Sequence, residues 1–229
     1  MYGSTSAFKH YRQELNTGGI KANSRYCRAV ALSTNAGHRP TDRPKLATSS
    51  AFDGMPQRMG GTGEHAVCFA AAMPNFIWHP SDPDADARAS TASWIKFTRL
   101  SNVRAPLAID VCARAWGVEQ MAPFDAIVSI NMIHIAPWAA SLGLFAGAGR
   151  MLRVGGLLIL YGPFMRDGVH NAASNAAFDA SLKARNPTWG LRDIADLEHV
   201  GESSGLRLGE AIEMPANNLS LVFERIDGR

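Results

Sequence analysis

Phe124-Asp125-Ala126-Ile127-Val128-Ser129-Ile130-Asn131-Met132-Ile133-His134-Ile135-Ala136-Pro137-Trp138 is the stretch on which the fold turns. Its first seven residues are short, apolar and rich in β-branched side chains, which predicts a buried strand over Phe124–Ile130. The strand then delivers two polar side chains, Asn131 and His134, to its C-terminal end. Polar groups left unpaired after a buried strand cost about 1–3 kcal/mol, so residues of this kind stand there with partners or with a purpose. His134 is a candidate general base, because an imidazole ordinarily titrates near working pH. The alternative is a histidine that only hydrogen-bonds a neighbouring loop.

Working outward, strand and helix signals alternate. Short apolar runs at Phe76–Trp78, Leu107–Val111 and Leu157–Tyr161 read as further strands, and helical stretches occupy Glu64–Met73, Asp84–Leu100 and Trp138–Leu152. Arg207–Met214 and Leu219–Ile226, separated by Pro215-Ala216-Asn217-Asn218, read as an antiparallel pair at one sheet edge. The fold class is therefore α/β: a Rossmann-like, doubly wound, mainly parallel sheet with a C-terminal antiparallel hairpin. The chain of 229 residues is long enough for one such domain and too short for two.

Three more strand ends carry chemistry. Gly60-Gly61-Thr62-Gly63 precedes the helical Glu64-His65-Ala66-Val67, and such a turn lets backbone N–H groups approach a ligand; an ordinary loop reads the same way. Asp82 follows Gly63 by nineteen residues, a spacing that suits an acid accepting from both ribose hydroxyls of a nucleoside, or else a solvated turn. Asp110 ends Leu107-Ala108-Ile109-Asp110-Val111, where its carboxylate can accept from an adenine amino group while Val111 covers the ring; a helix N-cap is the plain alternative. In this order the three ends imply a nucleoside-containing ligand along the C-terminal edge of the sheet.

These ordered strand ends, with the glycine turn Met151-Leu152-Arg153-Val154-Gly155-Gly156-Leu157, resemble the class I S-adenosylmethionine-dependent methyltransferases. Several longer stretches resemble more narrowly the family of methyltransferase-like protein twenty-six. They are Gly61-Thr62-Gly63-Glu64-His65-Ala66-Val67, Pro80-Ser81-Asp82-Pro83-Asp84, Asn131 to Trp138 and Leu160-Tyr161-Gly162-Pro163-Phe164, with Ser174-Asn175-Ala176-Ala177-Phe178-Asp179 and Met214-Pro215-Ala216-Asn217-Asn218-Leu219. The resemblance covers about residues 59–226. It implies S-adenosylmethionine as cofactor and methyl donor, and a seven-stranded sheet whose last strand is antiparallel. Gly61, Thr62 and Gly63 would face the donor's amino-acid portion, Asp82 its ribose, and Asp110 with Val111 its adenine. Asn131 to His134 would line the methyl-transfer side. It implies no particular acceptor.

Two features depart from that family. An apolar first strand with an acid four positions before the middle glycine is usual, yet the stretch here reads Ala51-Phe52-Asp53-Gly54-Met55-Pro56-Gln57-Arg58-Met59. Gln57 holds the acidic position, and Pro56 removes a ladder hydrogen bond, so the strand over 51–59 is expected to be short or missing. Val154 stands where a proline is common in the glycine turn.

Residues 1–55 differ in texture, with many Ser, Thr, Gly, Asn and Arg residues and little apolar periodicity. They are expected to form a basic, loosely packed segment ahead of a methyltransferase domain at 56–229. Residues 1–50 carry eight Lys/Arg against Glu14 and Asp42, so +6 of charge sits there and the remainder sums to −3, for a net +3. The folded body is thus not basic, which argues against a nucleic-acid partner. The acid-poor N-terminus has the composition of a transit peptide but no convincing amphipathic helix. Cys27, Cys68 and Cys112 lie far apart without metal-ligand spacing, so no metal is expected, and reduced thiols fit a cytoplasmic protein. No apolar run is long enough to cross a membrane.

Methyl transfer from a sulfonium asks the protein chiefly to align an acceptor and exclude water. For a hydroxyl or amine acceptor, His134 is the first choice of proton acceptor and Tyr161 the second. Asn175, Asn217 and Asn218 are candidates for orienting a small-molecule acceptor; Asn217 and Asn218 are equally suited to a tight turn. Trp138 and Trp189 could stack on a flat acceptor or pack in the core. The main alternative is a catalytically impaired protein that keeps the fold as a binding module. A nicotinamide enzyme is disfavoured because the tight G-x-G-x-x-G pattern is absent. An RNA-binding module would depend on the basic N-terminal arm.

Overall fold

The computed structural model describes residues 29–35 and 63–227. A six-stranded sheet in the order β2-β1-β3-β4-β9-β8 forms its centre. Its members are β1 (Ala29–Asn35), β2 (Phe76–Ser81), β3 (Phe124–Ile130), β4 (Leu152–Gly162), β8 (Leu206–Met214) and β9 (Asn218–Arg225). β3 and β4 pair in parallel, while β9 runs antiparallel to both β4 and β8, and β1 antiparallel to both β2 and β3. It follows that β2, β3, β4 and β8 all point one way, and their C-terminal ends gather on one edge. β8, the turn Pro215–Asn217 and β9 form the expected antiparallel hairpin. Pro fits its first position, and Ala216 and Asn217 take positive φ values of 58° each, which lets the chain reverse in three residues.

Alternation along the strands feeds two cores. Ile127, Leu158, Leu160, Leu221 and Phe223 face one side, where they meet Leu144 and Phe145 of helix α3 (Trp138–Met151) and Leu197 of helix α5 (Ile194–Ser203). Val128, Ile130, Ile159 and Val222 face the other, against Phe69, Ala70 and Met73 of helix α1 (Glu64–Ala72) and Trp78 of β2. A sheet covered on both faces must have apolar residues at consecutive positions, which is why all seven residues of β3 are buried. Each fully buried Leu, Val or Phe side chain contributes about 1.5–3 kcal/mol. Helix α2 (Ala85–Thr98) packs beside α1 and starts at Asp84, whose side chain accepts from Ala87 N at 2.8 Å.

Three expectations need correction. Leu107–Val111 is not a strand: Leu107 makes one parallel bridge to Ser81, and Val103 another to Trp78. Pro106 stands between these bridges and has no N–H to give to a ladder. Secondly, residues 1–55 were expected to form a basic, loosely packed segment; Ala29–Asn35 of that segment forms β1, which lies between β2 and β3. A slot flanked by two strands offers unpaired backbone groups on both sides, and any extended segment can satisfy them. The expected short or missing strand over 51–59 lies outside the described residues. Thirdly, only β3–β4 among the described pairs of the six-stranded sheet is parallel by contact, although four of its strands share a direction.

The sequence reading also left residues 163–192 unassigned. They form a second, three-stranded sheet in the order β6-β5-β7, from β5 (Phe164–Arg166), β6 (Val169–His170) and β7 (Arg192–Asp193), with helix α4 (Ala173–Arg185). This insertion sits beside a third small core of Ile135, Leu182 and Leu191.

Candidate active site

The edge where β2, β3 and β4 end carries the candidate site. Asp82 directly follows β2 and is 3% exposed. Its Oδ1 accepts from Asp84 N at 2.9 Å, its N–H donates to Leu107 O at 3.0 Å, and its carbonyl accepts from Arg88 Nη1 at 2.9 Å. The carboxylate thus shapes the turn into α2 as well as standing at the strand end. Gly63 is the N-cap of α1 with φ 117°, and a Cβ there would come within 2.6 Å of Thr91 Cα. Glycine is needed at this position so that α1 can lie against α2. Gly61 and Thr62, with Pro56 and Gln57, lie outside the described residues.

A pocket of about 330 Å³ opens beside these ends. Ser81, Ile109, Asp110, Val111, Met132, Ala136 and Trp189 are among its walls. This volume lies at the lower end of the roughly 300–1,000 Å³ of small-molecule pockets. Asp110 is solvent-exposed, and its Oδ1 accepts from Cys112 N at 2.9 Å, which fixes the carboxylate within the pocket lining. Val111 is buried behind it. Helix α3 can approach this end because residue 143 is glycine: a Cβ there would lie 2.1 Å from Val111 O. Burial, aided by the Asp110 carboxylate, raises the Cys112 thiol pKa above its ordinary range.

Asn131 and His134 come together after β3. Asn131 adopts φ 51°, a left-handed conformation that asparagine tolerates, and its N–H donates to Tyr161 O at 2.9 Å. Both side chains crowd Gly162 at the end of β4: a Cβ on Gly162 would lie 3.1 Å from His134 Cε1 and 3.2 Å from Asn131 Oδ1. His134 is 3% exposed and meets the Phe178 ring edge-on at 5.7 Å between centroids. Burial first, and the positive charge of Arg192 second, push its pKa down to about 4. The expectation of an imidazole titrating near neutrality is corrected accordingly: His134 is neutral there and is a weak base.

Tyr161 does not join that pair. Strand alternation turns its side chain to the other face, against the core of Trp78 and Val128. Its hydroxyl is raised in pKa by partial burial and opposed by a hydrogen bond with the Asn218 side chain. Asn175 and Asn217 do meet. Asn175, buried in the first turn of α4, donates through Nδ2 to Asn171 Oδ1 at 2.7 Å and to Asn217 O at 2.9 Å, and Asn217 Nδ2 reaches Ser174 Oγ at 3.3 Å. Asn218 Nδ2 donates to Pro215 O at 3.1 Å. These amides tie the inserted α4 to the β8–β9 turn, which makes Asn217 and Asn218 turn residues in this conformation.

Sequence reasoning missed Arg192. Its Nε donates to Ile133 O at 3.0 Å and its Nη2 to Ala136 O at 2.5 Å, and its guanidinium lies 5.5 Å from the Trp138 ring centroid. Gly190 N donates to His134 O at 3.0 Å. The turn bearing His134 is therefore held at three of its carbonyls from the far side of the insertion. A signal was available in the sequence, since the Trp189-Gly190-Leu191-Arg192 run is apolar and cationic together, but its partner is 56–59 residues away.

Among the described residues, no group of three His, Cys, Asp or Glu side chains is arranged to hold a metal ion, and no helix is long and apolar enough to cross a membrane.

Comparison with solved structures shows a mixed α/β methyltransferase fold. An O-methyltransferase family protein from Burkholderia thailandensis aligns with a TM-score of 0.63 at 16% identity, over 75% of this chain and 50% of that one. An O-methyltransferase family 2 protein from Planctomyces limnophilus, solved with apigenin, aligns at 0.62 and 17% identity, over 73% and 49%. The S-adenosylmethionine-dependent methyltransferase SibL aligns at 0.60 and 20% identity, over 73% and 49%. The chain thus spans about half the length of these structures. A family profile described as protein of unknown function (DUF938) matches residues 57–225, and this chain belongs to that family.

Proposed function

We propose that this protein is an S-adenosylmethionine-dependent methyltransferase acting on a small-molecule acceptor. One observation carries the reading: within a methyltransferase fold, a pocket walled by Asp110 and Val111 lies where successive strands end. Its chemistry fits the donor, because an exposed carboxylate beside apolar walls can accept from an adenine amino group while the walls bury the ring. Asp82 would take the ribose hydroxyls, and Gly61, Thr62 and Gly63 would face the amino-acid portion. When bound, the donor supplies an electrophilic methyl group. Asn131 would orient the acceptor, and the neutral His134 imidazole would receive the acceptor's proton on a ring nitrogen. Tyr161, Asn175, Asn217 and Asn218 would line the acceptor side as part of a rigid frame. The narrower affinity with the methyltransferase-like twenty-six family and a cytoplasmic setting belong to the same reading. A solved neighbour holding apigenin supports a small organic acceptor.

β1 favours a second reading, a binding module that retains the fold without turnover. It runs antiparallel to β2 and β3, with Ala29 opposite Ile130 and Asn35 opposite Phe76. Its C-terminal end therefore leaves the sheet at the edge away from the site. A strand so directed does not lead into a glycine loop at the site edge.

Calorimetric titration with S-adenosylmethionine and S-adenosylhomocysteine tests both. Micromolar binding of both is expected, and absence of binding removes the donor reading altogether. Binding without methyl transfer to any of a panel of small hydroxyl, thiol and amine acceptors selects the second reading.

A further inference from the structure

Trp189 is left without a role by the strand-end pattern, since it belongs to the insertion and not to a strand end. Its place is nonetheless specific. It lines the pocket together with Asp110, Val111 and Asn186. It also packs on the small core of Ile135, Leu182 and Leu191. Trp189 is thus both packed on the protein and part of the pocket lining.

The segment carrying Trp189 is held from both ends. Trp189 N donates to Asn186 O at 3.0 Å, and Asn186 Oδ1 accepts from Thr188 N at 2.9 Å. Leu191 N donates to Asp179 Oδ1 at 2.8 Å, and Asp179 Oδ2 accepts from Lys183 Nζ at 2.6 Å and pairs with His170 Nε2 at 3.1 Å. Between them, a Cβ on Gly190 would lie 2.9 Å from Asp179 Oδ1, so the backbone passes directly over that carboxylate. Gly190 and Arg192 then fasten the segment to the turn at 133–136. A wall fixed in this way loses little conformational freedom when a ligand arrives.

The geometry points to Trp189 as a donor-binding residue contributed by the insertion: its indole forms an aromatic wall against which the adenine base of the donor packs, while Asp110 of the same lining accepts from the exocyclic amino group. This inference rests on the donor reading above and goes beyond it, because it assigns base recognition to a residue outside the strand ends. A flat heterocycle with an amino group at its rim matches an aromatic residue and an exposed carboxylate in one lining. A bulky aliphatic ligand would leave the carboxylate unpartnered.

The test is titration of S-adenosylhomocysteine into the full chain and its Trp189→Ala, Trp189→Leu and Trp189→Phe variants, with tryptophan fluorescence followed in parallel. Trp189→Ala and Trp189→Leu should bind roughly five- to a hundred-fold more weakly, the range for removing an aromatic that stacks on a base. Trp189→Phe should stay within about three-fold of the parent yet lose most of the ligand-induced change in fluorescence. Trp189→Leu keeps the apolar packing on Ile135 and Leu182, so it reports on stacking even where Trp189→Ala does not fold. A parent that binds no S-adenosylhomocysteine overturns the donor reading and this inference together. A parent that binds, with Trp189→Leu binding equally well and fluorescence unchanged in Trp189→Phe, overturns the role of Trp189 alone.

Discussion

Asn175 Nδ2 donates to the backbone carbonyl of Asn217 at 2.9 Å, across 42 residues of sequence. It joins the first turn of α4 to the turn between β8 and β9. The bond is buried at the Asn175 end and holds a backbone turn that two positive-φ residues have already bent. Asn175→Ala removes that donor from Asn171 and from the Asn217 carbonyl, which still accepts from Asn171 Nδ2 at 3.2 Å, and should cost about 1 kcal/mol of stability. Thermal or urea unfolding reads this directly. An unchanged midpoint would show that the amide network adds nothing to the frame.

For His134 the sign of the pH effect is fixed by its depressed pKa of about 4 in the folded protein. An unfolded chain takes up the proton near pH 6.5, whereas the folded one resists until about pH 4. Stability from this group is therefore complete above about pH 6.5 and is lost as pH falls towards 4, by on the order of 3 kcal/mol. His134→Gln should make urea-unfolding stability fall less steeply between pH 7 and 4.5, the remaining fall coming from His65, whose pKa burial also lowers to about 4. Once an acceptor is known, turnover of the parent should hold through pH 6 and fall only near 4. Imidazole titration followed by NMR with a midpoint near 6.5 would contradict the burial described here.

Asp82→Asn separates the two tasks of this side chain. The amide oxygen can still accept from Asp84 N, so the turn into α2 should persist and the unfolding midpoint should move little. Loss of the charge should weaken S-adenosylhomocysteine binding about ten-fold, since hydrogen bonds to charged groups contribute about 1.5–3 kcal/mol. Calorimetry that finds equal affinity in the two proteins takes the ribose role away from Asp82.

Deleting residues 1–35 removes β1 from the middle of the sheet. Six register positions pair it with β2 and five with β3, so backbone groups on both neighbours lose partners. At about 1 kcal/mol net per hydrogen bond, the loss amounts to several kcal/mol. A broad or much lowered thermal transition is expected. A truncated chain as stable as the parent would restore the view, drawn from composition, that this segment only decorates the domain.

Much of the scaffold was legible in the linear sequence, since its signals are local. Phe124–Ile130 is a strand with the bounds its apolar run gives, and α3 ends within one residue of Trp138–Leu152. The β8–β9 hairpin was readable from Pro215 and two asparagines. The inserted helix was not: α4 has alanines and polar residues on most of its surface and buries only Asn175, Asp179 and Leu182, so its periodicity is faint. The pairing of Asn131 with His134 could be expected from their spacing, but the separation of Tyr161 from them could not be weighed without the pleat of β4.

Composition and periodicity by themselves determined the α/β class, the strand over Phe124–Ile130 and the C-terminal hairpin, because these depend on neighbours within a few residues. Tertiary structure alone decided that β1 enters the sheet, that Leu107–Val111 is reduced to a bridge, and that Trp189 and Arg192 reach the site. It also decided that His134 is neutral. Its shift arises from burial beneath an insertion and from a guanidinium 58 residues further along the chain. Desolvation and charge act through space, and the sequence records only distance along the backbone.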